Sequence, residues 1–473
     1  MKLKINWKQY WDWEFNKKVL RMMLPLILQS LIVAFINVLD TIFISIFNPE
    51  QLTGLGLTND MFILLIYSFW AISGAGGIYT TQYLGKKNYA KVAETTRIKL
   101  ILALILAVVY FTLISTLRTS LINIIVNLDN HLPEDKKNLI SQSANDYLQI
   151  INYTTWFLGI SLIFYNTMYE CGDAWTPLYI NFLPLTINAI LNPIFIKLCG
   201  WGVVGAAWST FIARVCEFIV VIAFIVWKKP VNCSGWKIWK TTLDLWKKIM
   251  KNFVFIFMAN ALFALSSFVQ KMIFLKEGFL DNSYQAAILT FSIIGVFYSF
   301  FNGYYVAVPY FVGRELGANH IVKAKVNFYK ILGFGLILNA TIALLIIFSS
   351  PFILNFFTGS PAVIYVAKWY LAFQGIAFFF LSTSIIFFNI LRIGGKNLLS
   401  SLIDILCTWV FIVGLTWFAF TIFKSNDYEV FSENWVMVTI IVFLIVSLAE
   451  IIQFSILIIT VRKVSWANNL VKQ

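Results

Sequence analysis

Long apolar runs alternate with short clusters of charge along this chain, and the runs show no period of two. Residues 100–117 and 439–461 are examples. An apolar run of about 20 residues is long enough to cross the roughly 30 Å hydrocarbon core of a bilayer as a helix. A closed barrel is the only other backbone that satisfies itself in lipid, and it requires short alternating strands. The pattern therefore predicts an all-α integral membrane protein. Breaks at Gly, Pro and charge clusters divide it into twelve transmembrane helices at 18–47, 55–84, 93–117, 142–170, 174–199, 201–227, 247–276, 284–314, 322–347, 361–391, 397–423 and 435–462.

The same punctuation repeats. Lys17-Lys18-Val19-Leu20-Arg21 opens the first span and Lys247-Lys248-Ile249-Met250-Lys251 the seventh. Leu84-Gly85 recurs as Leu316-Gly317, and Gly172-Asp173 recurs as Gly394-Gly395 at an offset of 222. Each half spans six times and each opens on basic residues, so both halves run in the same direction through the membrane. Parallel repeats of this kind are related by an axis along the membrane normal, with a cavity between them. The expected organisation is two six-helix pseudo-symmetric halves, residues 1–227 and 247–473. A cytoplasmic linker rich in Lys and Trp joins them over 228–246.

Composition sharpens this picture. Of 473 residues, 60% are hydrophobic and 12% charged, against roughly 25% charged in a soluble domain. The net charge of +14 does not mark a nucleic-acid binder, because the basic residues sit at span ends and no soluble basic domain is present to hold a polynucleotide. With the N-terminus inside, cytoplasmic segments and adjoining helix ends hold 27 of the 36 Lys and Arg residues, and both termini are expected to be cytoplasmic. Cys171, Cys199, Cys216, Cys233 and Cys407 are scattered without CxxC spacing, which suggests neither a zinc site nor a disulfide framework. The basic, Trp-rich N-terminus reads as an interfacial segment, not a cleaved signal.

Several segments resemble the multidrug and toxic compound extrusion (MATE) transporters, in particular their DinF-like prokaryotic branch. The first span, with Leu24-Pro25-Leu26-Ile27-Leu28-Gln29-Ser30 leading to Asp40-Thr41-Ile42-Phe43, is similar to that family's opening helix with its proline and aspartate. Gly172-Asp173-Ala174-Trp175-Thr176-Pro177 resembles the family's turn between spans four and five. Asn188-Ala189-Ile190-Leu191-Asn192-Pro193 resembles the fifth helix, and Gly202-Val203-Val204-Gly205-Ala206-Ala207-Trp208-Ser209-Thr210 the start of the sixth. Gly313-Arg314-Glu315-Leu316-Gly317-Ala318-Asn319 is like the loop after the eighth. Two departures stand out. Where the family commonly carries an acid in span five, this chain has Asn192. The counterpart of Asp40 in the second half is Gln270, and span ten has no Asp or Glu.

The resemblance implies an antiporter, driven by H⁺ or Na⁺, that exports amphipathic and often cationic small molecules by alternating access. It implies no cofactor, and no enzyme activity is expected. A carboxylate in hydrocarbon is costly, so Asp40 is the leading candidate for ion coupling. It lies nine residues before Pro49, about 13 Å from the outer helix end. Asn37 sits one turn away on the same helical face. Asn188 and Asn192 share a face at i, i+4 spacing. On residue type alone they read as helix-to-helix glue; the resemblance adds a role around Asp40, with Thr210 and Asn166 as further contributors. Pro25 is a place for the first helix to bend. Gln270, Tyr298, Asn302, Tyr304, Tyr305 and Gln374 are candidates to line a substrate cavity. Arg214 and Glu217 suit a local pair, and Lys271 either snorkels or faces the cavity.

The expected partners are a small-molecule substrate and membrane lipids, with no nucleic acid, for a monomer in the plasma membrane. The main alternative is a flippase for lipids or lipid-linked oligosaccharides, a reading that a basic central cavity would favour because such cargo is anionic. His131 and His320 both fall in loops and assemble no catalytic triad or metal site within the membrane. No Walker A sequence is present. Gly74-Ala75-Gly76-Gly77 is mid-span and reads as close helix packing.

Overall fold

The computed structural model describes residues 12–48, 51–127, 133–228, 241–277, 280–355, 361–425 and 435–472. Twelve helical passages account for most of them. Those in the first half are α1 (Trp13–Phe47), α2 (Leu52–Gly85), α3 (Tyr89–Asn127), the pair α4 (Glu134–Ile151) and α5 (Thr154–Glu170), α6 (Trp175–Asn192) and α7 (Gly202–Lys228). The second half has α8 (Leu243–Glu277), then α9 (Leu280–Tyr298), α10 (Tyr304–Val308) and α11 (Arg314–Gly317) as one interrupted passage. It continues with α12 (Ile321–Leu354), α13 (Pro361–Ile393), the pair α14 (Asn397–Leu406) and α15 (Gly414–Ser425), and α16 (Trp435–Lys463). No strand occurs among the described residues. Nine helices there are long and apolar enough to cross a membrane, and the α4–α5 pair makes a tenth if its two parts form one bent span.

Four passages are less regular than the apolar pattern predicts. α4 begins at Glu134, eight residues before the expected start, and turns by 55° into α5. α6 ends in a π-turn over Pro193–Leu198, because Pro193 has no N–H to continue the α-ladder. Pro309 opens a second π-turn at Pro309–Gly313, and a third spans Cys407–Val413 between α14 and α15.

The internal repeat is visible in backbone geometry. Lys87 and Asn319 are the two non-glycine residues with positive φ, at 58° and 63°, among the described residues. Each ends a helix with the same bonds: Lys87 N–H to Leu84 O and Asn88 N–H to Tyr83 O, then Asn319 N–H to Leu316 O and His320 N–H to Glu315 O. This is the Schellman cap, in which a left-handed residue turns two orphan carbonyls onto following amides. Gly172 (φ 97°) and Gly395 (φ 79°) make the matching pair of caps. Gly395, not Gly394, is thus the counterpart of Gly172, and the offset of 222 is corrected by one residue.

Backbone contacts divide the chain into two compact units, Leu28–Phe257 and Met1–Ile27 with Met258–Gln473. The division departs from a simple cut at the linker, because α1 and α8 each contribute to both units. In the second-named unit the opening of α1 docks on α12. Asp12 caps the helix through Phe15 N–H at 3.1 Å and accepts from Lys330 Nζ at 2.8 Å, which lowers its carboxyl below the usual carboxylate range. Phe15 meets Phe311 edge-on, and Met23 fills the space left by Gly303. In the Leu28–Phe257 unit the opening of α8 docks on α3: Glu94 accepts from the N–H and the hydroxyl of Thr242 at 2.7 and 2.6 Å.

Gly76 and Gly77 pack closely for a specific reason. A Cβ on Gly76 would meet Lys99, and one on Gly77 would lie 2.6 Å from Glu170 Oε1. The two glycines open space for a buried ion pair in which Lys99 Nζ reaches Glu170 Oε2 at 2.7 Å and the Thr167 hydroxyl at 2.8 Å. Gly77→Ala is expected to lower stability by about 1–3 kcal/mol, the usual cost of overpacking, read as a fall in melting temperature in detergent.

Candidate functional site

In the Leu28–Phe257 unit, the buried face of α6 carries Pro177, Asn181, Pro184, Asn188 and Asn192. Asn181 Nδ2 donates to Pro177 O at 2.8 Å, and Asn188 Nδ2 to Pro184 O at 2.9 Å. The Asn188 donor is therefore tied back to its own helix, and its amide oxygen turns toward α7. That oxygen accepts from Ser209 Oγ at 3.3 Å and Thr210 Oγ1 at 3.2 Å. Ser209 Oγ also donates to Asn192 Oδ1, and it lies 2.9 Å from Ala206 O. A hydroxyl has one proton to give, so it cannot serve all three acceptors at once. Asn188, Asn192 and Ser209 are almost fully buried.

The result is a cluster presenting four side-chain oxygens, from two amides and two hydroxyls. Such hard oxygen donors suit an alkali cation, and equally the proton of a neutral carboxylic acid. Its close approach comes from small residues. Gly205, Ser209 and Ala213 lie at i, i+4, i+8 on α7, and a Cβ on Gly205 would sit 2.8 Å from the Phe195 backbone.

α1 flanks this cluster at two levels. Ile32 and Ile36 pack with Leu178 and Leu185 of α6. Ile44 packs with Ile196, Val203, Ala206 and Ala207. The side chains of Asn37 and Asp40 lie outside the described residues. Pro25 is buried within an unbroken helix, two residues before the point where α1 passes from one compact unit to the other. Asn166 does not join the cluster in a described contact; its amide donates to Leu162 O one turn back at 2.9 Å.

The cavity candidates of the other unit fall in several places. Gln270 Nε2 reaches Thr416 Oγ1 at 3.4 Å, joining α8 to α15. Tyr298 stacks with Phe378 and meets Phe301 at a tilt of 41°, and Gln374 is buried beside Tyr370. Tyr304 is buried and donates to Asn339 Oδ1 at 2.7 Å, whereas Tyr305 on the same helix is exposed. Asn302 is half-buried at the break after α9. The side chain of Lys271, on α8, and the whole of His131 lie outside the described residues. His320 sits in the turn before α12, against Glu315 at 3.0 Å. Partial burial pushes the Glu315 carboxyl up, but hydrogen bonds from Lys323 and His320 outweigh this and hold it below its ordinary range.

Some polar groups carry little sequence signal. Ser209 looks ordinary beside Thr210, and only its place in the small-residue stripe marks it. Arg214 pairs with Glu217 at 2.7 Å, the expected local pair, but Glu217 also accepts from Tyr165 OH at 2.8 Å, a partner 52 residues away. Two acids of the second half, Asp404 and Glu450, gather near Arg392 and Gln453. The Arg392–Asp404 pair spans 3.6 Å, and Glu450 Oε2 is buried with no hydrogen-bond partner among the described residues. They come from three different helices, so no local spacing announces them.

Known proteins give independent evidence. The sequence pattern of the MatE family is matched over residues 25–194 and 256–418. A probable multidrug resistance protein NorM of Thermotoga maritima is 23% identical over 419 residues, 84% of each chain. A probable multidrug resistance protein YoeA of Bacillus subtilis is 22% identical over 363 residues, 74% of each chain. Among solved structures, an outward-facing multidrug resistance MATE family transporter of the MOP superfamily superposes with a TM-score of 0.79 at 16% identity. That match covers 95% of this chain and 96% of that one.

Proposed function

The chain belongs to the MatE family of transporters, and from that premise we propose a cation-coupled antiporter that exports amphipathic, often cationic, small molecules. The oxygen cluster of Asn188, Asn192, Ser209 and Thr210 carries this reading. Four residues separate Ile36 from Asp40 and Asp40 from Ile44, so helical register sets Asp40 between two levels that pack on α6 and α7. In this reading a carboxylate at that level works together with the amide and hydroxyl oxygens of the cluster. When it takes a proton, it changes from an acceptor into a donor. When it takes Na⁺, the amide oxygens complete the coordination. Either event exchanges the partners of α1 and supports a change of helix shape near Pro25.

In this reading the two sequence halves rock to open alternately to each side, with both termini in the cytoplasm. The multidrug resistance names of the relatives support export of drug-like compounds, and nothing in the cluster favours lipid flipping. The coupling ion and the cargo are decided by flux in proteoliposomes, with a pH gradient and a Na⁺ gradient imposed separately. Asn188→Ala removes one oxygen and leaves the Thr210 hydroxyl without that acceptor. Coupled flux is expected to fall about tenfold, the effect of losing one hydrogen bond worth roughly 1.4 kcal/mol. Wild-type flux indifferent to both gradients would defeat the antiport reading.

A further inference from the structure

A second polar feature of the Leu28–Phe257 unit lies apart from the oxygen cluster. Asp146 and Gln149 of α4, with Tyr153 in the turn before α5, line one side of a groove of about 350 Å³, and Val204, Trp208 and Phe211 of α7 line the other. Trp208 and Phe211 stand at 87° with ring centroids 5.5 Å apart, forming an aromatic corner. Phe157 backs Phe211, and Phe111 holds Tyr153. Tyr153 is 52% exposed and Trp208 41%, so the groove opens outward and in a membrane faces lipid. It occupies the first turns of α7, next to the turn where Gln51 Oε1 accepts from Val203 N–H. Such depth is the interfacial zone in which tryptophan concentrates.

Asp146 has no hydrogen bond or ion pair among the described residues. The Arg118 guanidinium donates to the neighbouring Gln149 Oε1 at 3.3 Å and not to Asp146. A carboxylate left unpaired on a lipid-facing surface is costly unless a cation meets it. Aromatic faces beside it are the chemistry that receives an ammonium group. Gln149 lies one helical turn from Asp146, so the Arg118 guanidinium that Gln149 holds brings a positive group to the level of the carboxylate.

We propose that this groove binds the headgroup of a zwitterionic phospholipid, with its ammonium against Asp146 and the aromatic corner and its phosphate against Arg118. Trp208 precedes the buried Ser209 on α7, so the lipid sits behind the helix that carries the oxygen cluster. The assignment does not rest on the transport reading, because binding is measured directly.

The test is native mass spectrometry of the full chain, titrated with phosphatidylethanolamine and with phosphatidylglycerol, which lacks the ammonium. The wild type is expected to favour phosphatidylethanolamine about tenfold at one site, and Asp146→Asn to abolish that preference. Arg118→Gln and Trp208→Leu are expected to weaken it, with melting temperatures confirming the fold. Asp146 has no partner to lose among the described residues, which makes its variant the cleaner one. Equal binding of the two lipids to the wild type, or a preference that survives Asp146→Asn, would overturn the proposal. Displacement by dodecyltrimethylammonium combined with no effect of Arg118→Gln would also overturn it, in favour of a free organic cation.

Discussion

Asp40→Asn is expected to abolish ion-driven efflux while leaving expression and melting temperature close to wild type. The amide is nearly the same size as the acid, so packing of α1 against α6 through Ile32 and Ile36 persists. What it loses is the ability to gain and release a proton or to neutralise Na⁺. Each charge driven across 100 mV supplies roughly 2.3 kcal/mol, or about fiftyfold in the substrate ratio that can be sustained. That ratio, measured in proteoliposomes under an imposed gradient, should collapse to the passive value in the variant. Asp40→Glu, which keeps the charge at a longer reach, should retain part of it. If Asp40→Asn pumps as well as wild type, coupling resides elsewhere, and the Asp404–Glu450 cluster becomes the next place to look.

The second large effect concerns stability. Lys99 is fully buried against Glu170 and Thr167. Removing one partner of a buried ion pair strands the other charge, and such changes cost about 3–5 kcal/mol. Lys99→Met is therefore expected to reduce the melting temperature sharply in detergent. The double variant Lys99→Met with Glu170→Leu removes both charges and should recover most of the loss, since apolar replacement of a whole buried pair is often neutral or better. Additive loss in the double variant would mean that the pair is not the source of the effect.

The elements were legible because lipid imposes one rule everywhere: an apolar run must satisfy its own backbone, and a helix does so locally. Span positions follow from that rule, and the repeat showed in the punctuation between spans. What escaped were interruptions within runs. Pro193 and Pro309 could be seen in the chain, but whether each would yield a kink, a break or a π-turn depends on the neighbours that absorb the freed carbonyls. The length of α4 escaped because its first turns are polar, with Glu134 and Asp135 leading.

The candidate site was legible in part. Asn188, Asn192 and Thr210 stood out as polar residues at helical spacing in apolar runs, and the fold brings these three together. Asn166 stood out in the same way, yet its donor is used within its own helix. Ser209 carries no such signal, because a serine beside a threonine in a span is usually satisfied by its own backbone, as Ser209 also is through Ala206.

The sequence alone determined the solvent, the helical class, the number of passages and the twofold repeat. Each of these depends only on local composition and on the cost of an unsatisfied backbone in lipid. Tertiary structure alone decided which polar groups meet. Lys99 and Glu170 lie 71 residues apart, Tyr165 and Glu217 52, and Asp12 and Lys330 318. Pairings at such distances are chosen by helix packing, which turns on side-chain volume at every contact and leaves no periodic trace along the chain.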